Sequence, residues 1–118
     1  SLNQTPYCMS QVTIKLRQTG LDDAGIVRLG TDPLGFAEHL PDADAALVRY
    51  TVKLTMTPGA MTEADVNSLR AVGFDDLDIV DANAQCAHLN YVNRVSNGLG
   101  IKTVVDPDFP AYDAIPTS

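Results

Sequence analysis

The sequence predicts an all-α fold of about five helices with an extended C-terminal tail. Three observations carry that prediction. Apolar residues recur every three or four positions through successive segments. The joints between those segments hold turn residues: Gly20, Pro33 with Gly35, Pro58 with Gly59, and Gly73. No convincing pair of strands is visible, and the β-prone stretch Thr103 to Val105 has no obvious partner. A chain of 118 residues is one domain on length alone, so we place the helical domain over residues 1–101 and the tail over 102–118.

The first helix is expected over Tyr7 to Thr19. Pro6 suits a first turn, and Val12, Ile14 and Leu16 form the apolar side. Lys15 and Arg17 favour the C-terminal end, and Gly20 ends the helix. A second, short helix runs from Asp22 or Asp23 to Leu29, with Ile26 and Val27 inward. Gly30 to Leu40 reads as a loop, with His39 a solvated side chain in it. A third helix covers about Ala43 to Thr57 on the spacing of Leu47, Tyr50, Thr51 and Leu54, with Arg49 and Lys53 on a solvated strip. Thr62 and Asp65 resemble a capping box that opens a short helix from Glu63 to Ala71.

The longest helix is expected from about Phe74 to Leu99. Asp75 can cap it, and Asp76, Asp78 and Asp81 complement its positive end. Leu77, Val80, Ala84, Ala87, Tyr91 and Val95 form one stripe. Ile79, Ala82, Cys86, Leu89 and Val92 form a second. Two apolar stripes predict a central helix that is mostly buried. No formally charged residue lies between Asp81 and Arg94, where Asn83, Gln85, His88, Asn90 and Asn93 supply the polar groups. Buried amides require partners, so these residues predict a polar seam, a subunit contact or a pocket wall. His88 and Asn90 are the pocket candidates. The tail, with three prolines after Ile101, is expected to be extended.

A net charge of −7 and a pI near 4.4 argue against a nucleic-acid backbone as partner. They give no attraction to anionic membranes or substrates, and no stretch reaches the length of a membrane span. Cys8 and Cys86 lie far apart and fit no zinc spacing, so neither metal nor cofactor is expected. Their scarcity points to a reducing compartment, and the cytoplasm is the expected location. No signal-peptide pattern opens the chain. Ser1 stands where an initiator Met would, so the start reads as a cut.

Two stretches resemble the carboxymuconolactone decarboxylase-like superfamily, which includes the AhpD-type alkyl hydroperoxidases. From Lys53 to Ile101 the pieces KLT, P, TEADV, LRA-x-GF, NYVNR and LG are similar to the two-helix region of the peroxidase-related branch. From Asn3 to Gly20, NQTPYCMSQVTIKLRQTG looks like the thiol-bearing helix start, where the family commonly carries Cys-x-x-Cys-x-x-x-His. The resemblance implies the family's helical fold, a homo-oligomer and a small-molecule substrate. It also implies helices upstream of this motif, so the sequence is expected to be a piece without them.

The resemblance puts Cys8 on the second cysteine of the motif. Thr5 stands in place of the first cysteine, Val12 in place of the histidine, and Leu2 where a glutamate often lies. A cysteine pair works because one thiolate attacks and the other resolves the product as a disulfide. Thr5 cannot resolve a sulfenic acid, and Val12 cannot carry a proton. Cys8 is therefore the catalytic candidate of a thiol-dependent, peroxidase-related oxidoreductase with a degenerate motif. The alternatives are a thiol-independent enzyme like the family's lactone decarboxylases, with His88 and Asn90 lining its pocket, and a non-catalytic oligomeric homologue.

Overall fold

The computed structural model describes residues 2, 3 and 5–101, and among them it is all-helical. Helix α1 spans Pro6–Gln18, α2 Asp23–Thr31, α3 Pro33–Ala37, α4 Asp42–Met56, α5 Glu63–Arg70 and α6 Asp76–Gly98; a 3₁₀ turn covers Pro58–Ala60. Five of these helices are the ones expected from sequence, with ends moved by one to a few residues. The addition is α3, a five-residue helix inside the stretch expected to be a loop. Pro33 at its first position needs no N–H partner, which is how a proline opens a helix instead of breaking one. The expected tail at 102–118, including Thr103 to Val105, lies outside the described residues.

The chain divides into two units. One is built from Pro33–Asn90, the other from the chain up to Asp32 together with the chain from Tyr91. In the first unit, Ala46 and Tyr50 of α4, Leu69 of α5 and Ile79 of α6 form the buried cluster, edged by Leu47, Leu54, Met61, Val66, Val72 and Phe74. The turn after α5 fixes Leu69. Its carbonyl accepts from both Val72 N–H and Phe74 N–H at 3.2 Å. Gly73 between them has φ +99°, a left-handed backbone that glycine adopts without steric cost.

Caps hold the joints of this unit. The Asp65 carboxylate accepts from the Thr62 N–H at 2.8 Å, half of the expected capping box, and from the Thr62 hydroxyl at 3.2 Å. Asp75 Oδ1 accepts from Asp78 N–H at 2.8 Å, while Asp78 Oδ2 accepts from Asp75 N–H at 3.0 Å. Two aspartates thus satisfy each other's otherwise orphaned N–H groups and bring negative charge to the positive end of α6. Lys53 departs from the expected solvated strip. Its ammonium sits 2.7 and 2.9 Å from the two Asp65 oxygens and ties α4 to α5. Arg49 is exposed, as expected.

In the other unit, α1 packs against α2. The Asp22 side chain caps α2 by accepting from Gly25 N–H at 2.7 Å. Arg17 binds Asp23 at 2.8 Å and holds that carboxyl below its ordinary range. Ile26 is buried here, together with the polar Thr5, Thr13 and Ser96. Asn97 at the end of α6 donates to the Asn3 carbonyl at 2.7 Å.

The expectation of a mostly buried α6 is overturned. Of its apolar side chains only Ile79 is fully buried, with Ala82, Cys86 and Val92 half-buried on the same side. Leu77 is 69% exposed, Val80 62% and Tyr91 68%, and Ala84, Ala87 and Val95 are exposed with them. A helix packed along one side buries one stripe. The described helices leave the stripe of Leu77, Val80, Ala84, Ala87, Tyr91 and Val95 uncovered.

Candidate functional site

Cys8 is the third residue of α1, in the turn where unpaired backbone N–H groups and the helix dipole favour negative charge. Its side chain is half-buried and its thiol is free. Thr5 is the residue immediately before the helix, with extended backbone at φ −105° and ψ 99°. Its side chain makes no capping hydrogen bond to α1 and is 1% exposed; the hydroxyl turns back to the Asn3 carbonyl at 3.4 Å. Val12, one turn further along α1 from Cys8, is exposed. Cys8 therefore stands in an N-terminal helical turn with a buried threonine three residues before it and an exposed valine four residues after it. Neither Thr5 nor Val12 offers Cys8 a second thiol or a titratable group to relay its proton.

The other predicted candidates separate. Asn90 is half-buried in a polar seam between α4 and α6. Its Nδ2 donates to Thr55 Oγ1 at 3.1 Å and to the Cys86 carbonyl at 3.0 Å, and lies 3.5 Å from Cys86 Sγ. The Cys86 thiol sits 3.5 Å from Thr55 Oγ1 and donates to the Thr51 carbonyl at 3.8 Å. One turn toward the start of α6, the Tyr50 hydroxyl donates to Asn83 Oδ1 at 2.9 Å. Burial is the main cause that pushes the Tyr50 phenol above its ordinary range, with the Cys86 and Asp65 charges adding to it. His88 is exposed and makes no hydrogen bond to the described residues. The two candidates thus differ: His88 is exposed, while Asn90, two residues on, is half-buried in the seam. His39 is also exposed, as expected of a loop side chain.

The seam answers the expectation of partners for the buried amides, with Asn83 and Asn90 both engaged. Two residues on α4, Thr51 and Thr55, face two on α6, Cys86 and Asn90, each pair four apart and so on one helical face. That i,i+4 match on both helices is the sequence signal by which the seam is visible. Asn93 differs from its neighbours: its Oδ1 is buried and has no partner among the described residues.

An open groove of about 620 Å³ runs beside Arg70, Phe74, Asp75, Asp76 and Leu77. Arg70 is committed there to Asp76 at 3.0 Å and to Asn67 at 3.0 Å. None of the predicted site residues lines this groove. Among the described residues, no three His, Cys, Asp or Glu side chains converge as a metal site requires, and no helix is long and apolar enough to cross a membrane. No protein-family model, curated protein or solved structure matches this chain.

Proposed function

We propose that the chain is a carboxymuconolactone decarboxylase/AhpD-like protein of the peroxidase-related branch whose thiol chemistry is reduced to Cys8. The observation that carries this reading is the position of Cys8 in the first turn of α1, with buried Thr5 at the place the family's first cysteine would hold. The all-helical architecture and the resemblance from Lys53 to Ile101 support it. The substrate class is a small peroxide, the cellular setting the cytoplasm, and the working form a homo-oligomer.

The chemistry of such a site is limited by its electron balance. The Cys8 thiolate attacks a peroxide oxygen, the O–O bond breaks, and water or an alcohol leaves with the other oxygen. Cys8 is then a sulfenic acid. Its return to the thiol consumes two electrons and two thiols, the first forming a mixed disulfide with loss of water and the second displacing Cys8. Thr5 supplies no thiol, and the Cys86 sulfur is engaged with Thr51, Thr55 and Asn90. The reducing thiols must come from an external molecule, and turnover with a dithiol reductant is weak or absent. The test is peroxide consumption by the wild-type chain and by Cys8→Ser. A slow wild-type rate that disappears in Cys8→Ser supports a single-thiol site. Equal rates in the two chains remove Cys8 from the chemistry.

The non-catalytic, oligomeric reading is favoured by one observation of its own, the uncovered apolar stripe of α6.

A further inference from the structure

We draw no further inference here: the strongest candidate, the exposed apolar stripe of α6 formed by Leu77, Val80, Ala84, Ala87 and Tyr91, carries none, because nothing in the structure shows what covers it.

Discussion

Leu69→Ala is the most direct probe of what holds the Pro33–Asn90 unit together. Leu69 is completely buried against Ala46, Tyr50 and Ile79. The substitution deletes three carbons. At ~0.8 kcal/mol per buried methylene the lost transfer energy is about 2.4 kcal/mol. A cavity term adds to it, because the Leu69 carbonyl is held by two N–H groups of the following turn, so the backbone cannot settle far into the void. A loss of about 3 kcal/mol is expected, within the usual ~2–5 kcal/mol range for such truncations. With a urea m-value of about 1.5 kcal/mol/M, the unfolding midpoint should fall by about 2 M at constant m. The control is Met56→Ala in the last turn of α4, where the side chain is exposed; it should cost less than about 0.5 kcal/mol. Urea unfolding followed by circular dichroism at 222 nm measures both. Similar midpoints for the two variants would refute the assignment of the core to the Leu69 cluster.

Three further outcomes follow from the geometry. Asp65 is held below its ordinary carboxylate range, chiefly by Lys53 and then by the Thr62 N–H. The folded chain therefore takes up this proton less readily than the unfolded one. The linked stability is complete above about pH 4, the value of an unperturbed Asp, and is lost as pH falls through the lower folded value. Melting temperature should decline more steeply on acidification in the wild type than in Asp65→Asn, and parallel curves would contradict the linkage. Tyr50 shows the opposite sign, since burial raises its phenol. That contribution is complete below ~10, the ordinary Tyr value, and is lost as pH rises through the folded value, so Tyr50→Phe should flatten the alkaline limb of the same measurement. Gly73→Ala meets no atom within 4 Å of the added Cβ, so its cost comes from the left-handed backbone alone. The expected loss is about 1 kcal/mol, read by urea unfolding, and a neutral variant would show that the turn relaxes.

Features set by neighbouring residues were legible in the sequence. Asp75 as the cap of the long helix, the Thr62–Asp65 contact and Gly73 as a terminator depend on spacings of a few residues, and each stands where expected. Features set across the fold were not. Both stripes of α6 are apolar, and periodicity cannot say which of two apolar stripes meets the core. The choice falls to Ile79, which fits among Ala46, Tyr50 and Leu69. Lys53 looked solvated because its partner Asp65 is twelve residues away on another helix. The same distance problem hid the bonds of Cys86 and Asn90 to Thr51 and Thr55, 31 to 35 residues apart. Pro33 and Gly35 argued for a loop, yet five residues closed a helix against α4. For the candidate site, position in the sequence gave Cys8 its helical turn, while the burial of Thr5 and the exposure of Val12 needed the fold.

The central claim is that Cys8 is a peroxide-reactive thiol without an internal resolver or proton relay. Restoring both groups tests it. Thr5→Cys places a sulfur of similar size at the buried position immediately before α1, and Val12→His places an imidazole at an exposed position one turn beyond Cys8. The measurement is peroxide consumption with a dithiol reductant by the wild type, Cys8→Ser and the Thr5→Cys/Val12→His double variant. The account predicts little or no turnover in the wild type, none in Cys8→Ser, and a gain of at least tenfold in the double variant. Robust wild-type turnover that vanishes in Cys8→Ser would contradict it, because it would show that Cys8 completes the cycle without either group.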